Sequence, residues 1–248
     1  MCGIAGFIQG KNSKVEINCN TVANEMADAL KHRGPDDKGV WIDDESKVAL
    51  SYQRLAVIDL SKNGNQPMIS QNNRWVIVYN GEIYNHNHLR KNLNDSGYAI
   101  KWKGTSDTET LLACIDHWGL EKSLKQLVGM FSFSLWDKKR KRMFLARDRF
   151  GEKPLYYGHV NKCFVFASEI KSFKVFPGFQ KRINQNALHS YLSLNVVPNE
   201  CCIYENVFKL TPGSFLCLEY DSLENQMAPK PKQYWSITNL FNSSQNKK

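Results

Sequence analysis

The chain has 248 residues, of which 42% are hydrophobic, enough to bury a sizeable core within one domain. It contains no run of about 18 apolar residues and no charged-then-apolar leader, which points away from a membrane span or secretory signal and toward the cytoplasm. Thirty-three basic against 24 acidic residues give a net charge of +9, but the basic residues are dispersed without a zinc-finger, recognition-helix or RNA-binding signature, so nucleic acid is not an expected partner.

The chain opens on MCGIAGF (1–7), an apolar, glycine-punctuated run that predicts a strand. Removal of the initiator methionine would put a thiol and a free α-amine on Cys2. A free thiol of pKa about 8.5 is little ionised at neutral pH, and an α-amine of pKa about 7.7–8.0 can take its proton directly or through water. Taken alone, Cys2 reads more simply as part of a buried strand. Thr21 to Lys31 has helical spacing, with Val22, Met26, Ala29 and Leu30 on one side.

Strands are predicted at GVWI (39–42), KVALSYQRLAVI (47–58) and RWVIVYNGEI (74–83), then helices over Asn85–Leu93 and Asp107–Trp118. Further strands follow at GMFSFSLW (129–136), RMFLAR (142–147), PLYYGHV (154–160), CFVFAS (163–168) and SFLCLEY (214–220), with a helix over Asn186–Leu194. The densest basic run, KKRKR (138–142), falls between two strands and reads as a solvated hairpin tip. After Asp221 the patterning is lost. A domain over residues 1–220 and a linker over 221–248 are expected, in the α+β class with helices covering a strand-rich sheet.

Arg54 carries a planar fork suited to a carboxylate. Asn80–Gly81 combines an amide donor with a residue that permits close backbone approach, although an isolated Asn-Gly pair is more often a turn. Glu82 and Asp107 supply negative charge for an ammonium; Asp107 also reads as the N-cap of its helix. The six cysteines other than Cys2 form no CxxC pair and read as reduced packing residues, and the six histidines show no ligand spacing, so no metal is expected.

MCGIAGF, HRGPDDKG (32–39), YQRLAVIDLS (52–61), QPM (66–68), YNGEIYNH (79–86), GTSDTE (104–109), GMFSFSLWD (129–137), ARDRFGEKPLYYG (146–158) and FASEIKS (166–172) span most of the chain. In that order they resemble the class II glutamine amidotransferases, and the glutaminase domain of glutamine-hydrolysing asparagine synthetase in particular. The resemblance implies a four-layer αββα sandwich of the N-terminal-nucleophile hydrolase type. It implies Cys2 as nucleophile and an oxyanion hole made by the Asn80 side chain and the Gly81 N–H. Arg54 would hold glutamine's α-carboxylate, Leu55, Val57 and Ile58 would line the pocket, and Glu82 and Asp107 would meet the substrate ammonium.

No cofactor is implied for glutamine hydrolysis; ATP and Mg would belong to a C-terminal synthetase domain that activates aspartate. Nothing in the chain resembles that domain's pyrophosphate loop, so the glutaminase half alone is expected. Its partners would be glutamine and a synthetase domain or separate synthetase chain, with room for a homodimer and with neither nucleic acid nor membrane. Two rivals stand beside this reading: an amidotransferase of the same architecture that modifies a surface sugar or small metabolite, and a catalytically silent binding module. ARDRFGEKPLYYG receives no chemical assignment.

Overall fold

The computed structural model describes residues 1–11, 13, 16–98, 100–198, 200–225, 229–238 and 241. In chain order the first elements are β1 (Gly3–Gln9), α1 (Cys19–Asp28), β2 (Asp37–Asp43), β3 (Val48–Arg54), β4 (Met68–Ile69) and β5 (Trp75–Ile83). Next come α2 (His86–Asp95), α3 (Asp107–Trp118), α4 (Leu120–Gln126), β6 (Gly129–Asp137), β7 (Arg142–Arg147), β8 (Tyr156–Val160) and β9 (Cys163–Ala167). They are followed by α5 (Lys171–Val175), α6 (Gln185–Leu194), β10 (Val207–Lys209), β11 (Ser214–Glu219) and β12 (Lys232–Gln233).

The strands form two six-stranded sheets, β10-β8-β9-β1-β3-β2 and β12-β11-β7-β6-β5-β4. Neighbouring strands are antiparallel throughout. Side chains alternate between the faces of a strand, so each sheet that is apolar on both faces needs two partners. In β1, Ile4 and Ile8 enter the core between the sheets, while Ala5 and Phe7 pack with Val22 and Met26 of α1 and Phe173 of α5. In β5, Val76 and Val78 face the inter-sheet core, while Trp75, Ile77 and Tyr79 meet Leu111, Leu112 and Ile115 of α3. Three apolar layers therefore separate four structural ones, helix, sheet, sheet and helix, as the resemblance implied.

Several expectations change in detail. The strand predicted through residue 58 stops at Arg54, and the chain turns away with Val57 exposed. Asp107 is the first residue of α3 and not its cap; Ser106 is the cap, its hydroxyl accepting from Thr108 N at 3.1 Å. Asn80–Gly81 is strand, not turn, paired with Ser132 and Phe131 of β6. The basic run 138–142 does join the paired β6 and β7.

The expected linker starts inside the sandwich. Leu223 is buried, β12 pairs with Ser214 and Phe215 of β11, and Tyr234 is buried with its hydroxyl donating to Arg147 O at 2.9 Å. A two-residue strand leaves no periodic trace in a polar segment, which is why 221–235 read as linker. Residues 226–228, 239–240 and 242–248 lie outside the described residues. All seven thiols are free; Cys217 is exposed, which corrects the reading of all six remaining cysteines as packing residues. Among the described residues no helix is long and apolar enough to cross a membrane.

Candidate active site

The parity of three strands assembles the site. Ile4 pairs with Tyr52 between β1 and β3, and Tyr52 shares the inter-sheet core with Val48, Leu50, Val76 and Val78. One strand period beyond these lie Cys2, Arg54 and Asn80, so all three meet at the same end of the sandwich. They line a cleft of about 240 Å³. Leu55, Val57, Ile58, Gly81, Glu82 and Asp107 line it too, which brings every site residue singled out from the sequence into one cavity.

Residue 2 is held on both sides. Its carbonyl accepts from Arg33 Nε at 2.9 Å, and Arg33 is locked by a 2.7 Å ion pair to Glu169. Burial acts to raise the Glu169 pKa, but hydrogen bonds from Arg33 and His32 prevail and hold it low. Cys2 Sγ accepts from the Tyr52 hydroxyl at 2.8 Å and from Leu55 N at 3.4 Å. Burial, together with the adjacent sulfur, pushes the Tyr52 pKa well up, so its hydroxyl keeps its proton and donates. Sequence reasoning missed Tyr52; the available signal was its position two residues before Arg54 on the same strand face.

Arg54 organises the cleft's lip. One guanidinium nitrogen donates to Ser61 O at 3.0 Å and to Asn65 Oδ1, and the other terminal nitrogen donates to Asp59 O. Asp59 in turn accepts from Thr105 N and from Ser61, whose hydroxyl is the main cause of its lowered pKa. Across the cleft, Asp107 accepts from the Tyr79 hydroxyl at 2.7 Å and Ile83 N at 2.9 Å. Burial raises its pKa nonetheless, because these donors only partly replace lost water.

Asn80 is 1% exposed, and its Nδ2 is a buried donor with no partner. Buried amides are ordinarily satisfied, so an orphan aimed at a cleft marks a place reserved for an acceptor. Gly81 stands where a Cβ would lie 2.2 Å from Met130 O, so only glycine fits the β5–β6 pairing at this point. Among the described residues no three His, Cys, Asp or Glu side chains gather to share a metal ion.

ARDRFGEKPLYYG, silent as sequence, proves to be a braced turn beside the cleft. The fully buried Asp148 carboxylate accepts from the backbone nitrogens of Phe131, Phe150, Glu152 and Lys153 at 2.9–3.2 Å. Arg147 donates to the carbonyls of Lys153, Gly151 and Leu210, and Gly151 supplies the positive φ of 71° that closes the turn. The turn delivers Lys153 into the cleft, another residue that polarity alone could not flag. Asp148→Ala, which leaves four N–H groups without their acceptor, is expected to destabilise the fold by about 3–5 kcal/mol. Urea unfolding checks this; an unchanged midpoint would show that the turn is not braced through Asp148.

Comparison with known proteins places the chain in a family. The family model of a glutamine amidotransferase domain matches residues 1–235. Glutamine-hydrolysing asparagine synthetase 3 of Bacillus subtilis is 35% identical over 240 residues, covering 96% of this chain and 37% of that protein. Amidase chry2 of Gibberella zeae is 36% identical over 245 residues, covering 96% and 34% respectively. The chain thus spans little more than a third of the length of either relative. Among solved structures, glutamine phosphoribosylpyrophosphate amidotransferase from B. subtilis superimposes with a TM-score of 0.66 at 21% identity, over 95% of this chain and 50% of that one, a likeness of fold. This chain belongs to the glutamine amidotransferase domain family.

Proposed function

We propose that the chain hydrolyses glutamine with Cys2 as nucleophile. The α-amine freed by loss of Met1 takes the Sγ proton as sulfur bonds to the side-chain carboxamide carbon, and the negative charge moves onto the carbonyl oxygen. Asn80 Nδ2 and the Gly81 N–H receive that oxygen. Collapse breaks the C–N bond, the amine returns its proton to the departing nitrogen, and ammonia leaves a γ-glutamyl thioester. Water, deprotonated by the same amine, then displaces sulfur and releases glutamate. Arg54 holds the α-carboxylate, Glu82 and Asp107 the α-ammonium, and Leu55, Val57 and Ile58 the methylene chain. The observation that carries this reading is the unpartnered Asn80 amide in the cavity that holds the thiol.

The ammonia acceptor on this reading is aspartate, activated with ATP by a synthetase domain or chain. The asparagine synthetase relative supports it. So does an exposed apolar strip at Tyr191, Leu192, Leu194 and Val196, of the kind covered by an adjoining domain. The amidase relative favours, as second reading, a different acceptor on the same glutaminase. Seven free thiols fit the reducing cytoplasm.

The test is glutamate release from glutamine by chain whose first residue is shown by mass spectrometry to be Cys2. Chain retaining Met1 has an amide where the base should be and is expected to be inactive; equal activity of both forms refutes the mechanism. A pH series adds a second readout. Because burial raises the Asp107 pKa, its charge is lost as pH falls while ordinary carboxylates remain ionised, and the glutamine KM is expected to climb from that point. Asp107→Asn should hold KM high and level over the same range, and a level wild-type KM removes Asp107 from the ammonium site.

A further inference from the structure

Lys153 is a buried cation with no anionic partner among the described residues. It is 5% exposed, and among the described residues it joins no ion pair and its Nζ donates only to Met1 Sδ, at 3.2 Å. A thioether is a weak acceptor, and burying an ammonium against one is unfavourable unless the position itself is useful. The fold nevertheless enforces the position through the Asp148 and Arg147 contacts to the turn, which include the Lys153 N–H and carbonyl.

Sδ lies a few bonds from the Cys2 nitrogen, on the residue whose removal frees that nitrogen. In the processed chain the sulfur is gone, and the Lys153 ammonium and the Cys2 α-amine share the end of one cleft. We propose that Lys153 keeps the Cys2 α-amine in its neutral, proton-accepting form. This inference rests on the reading of that amine as the base. A lysine holds its proton far more tightly than an α-amine, by reference values of about 10.4 against 7.7–8.0. Of two nitrogens that line one cleft and cannot both be charged cheaply, the α-amine is therefore the one that releases its proton.

The other charged groups around residue 2 leave Lys153 this part. Arg33 is neutralised by Glu169, which also binds His32. Arg147 and Asp148 are engaged with backbone inside the turn, and Glu152 is exposed. Tyr52 stays a neutral donor to sulfur. Arg54 is directed at the 59–65 loop, while Asp107 and Glu82 line the cleft as the carboxylates proposed for the substrate ammonium. Lys153 is on this view a positioning residue that acts through the amine.

The experiment titrates the α-amine of the processed chain by competitive acetylation with acetic anhydride, read by mass spectrometry, in wild type, Lys153→Met and Lys153→Arg. Wild type is expected to titrate below the ordinary α-amine range of about 7.7–8.0, Lys153→Met about one pH unit higher than wild type, and Lys153→Arg close to wild type. The acid limb of kcat should move with the amine, so that Lys153→Met loses about tenfold at pH 6.5 and little at pH 9. A wild-type midpoint inside or above the ordinary range overturns the proposal, and this measurement needs no variant to fold. An unmoved midpoint in folded Lys153→Met overturns it equally. Acetylation requires no turnover, so a depressed amine in a chain that fails to release glutamate would sink the glutaminase reading and leave this one standing.

Discussion

Cys2→Ala is expected to reduce glutamate release by at least about 10⁴-fold while leaving the unfolding midpoint close to that of the parent chain. The substitution removes one sulfur atom, whose hydrogen bonds are to the Tyr52 hydroxyl and the backbone of Leu55, and Cys2 is only partly buried where it flanks the inter-sheet core. The restraint that positions residue 2 survives, because Arg33 bonds the main-chain carbonyl and not the side chain. Cys2→Ser should also be severely impaired, since a hydroxyl is far harder to ionise than a thiol and the same amine must activate it. A glutamine-like electrophile followed by peptide mapping gives the complementary result. Label at Cys114 or Cys163, both buried, with Cys2 untouched would displace the nucleophile from the N-terminus.

The second large effect separates catalysis from binding. Asn80→Ala is expected to lower kcat by about 10²–10³ with little change in KM, because on the proposed mechanism its amide meets charge that exists only after attack. Folding should suffer little, as Nδ2 has no partner in the ground state to lose. Arg54→Ala should instead act mainly on KM. On the proposed mechanism its guanidinium holds a group that does not change during the reaction, and it also ties Asp59, Ser61 and Asn65 into the lip of the cleft. A normal kcat for Asn80→Ala would remove it from the oxyanion hole, and a normal KM for Arg54→Ala would remove it from the carboxylate site.

Much of this is legible in the sequence. Periodicity located α3 over Asp107–Trp118 and the long strands β1, β3, β5, β6 and β7, because each carries an alternating or helical pattern several residues long. The short pieces β4, β10 and β12 escaped, since two or three residues hold no period. Asp107 was placed at the start of the right helix but in the wrong role: both Ser106 and Asp107 are good caps in sequence, and only the backbone decides which one precedes the first turn.

The chemical groups at hand are written in the chain: a thiol beside the N-terminus, a guanidinium on a strand, an amide next to a glycine, and two carboxylates. Their gathering into one cavity is a tertiary result, because Cys2, Arg54 and Asn80 are adjacent only where the parities of β1, β3 and β5 coincide across two facing sheets. Tyr52 and Lys153 belong wholly to that level. A tyrosine in an apolar strand and a lysine in a charged turn are ordinary residues until packing removes their water. The Tyr52 hydroxyl then has a sulfur as its partner, and the Lys153 ammonium is held at the chain's first residue with no ion pair among the described residues.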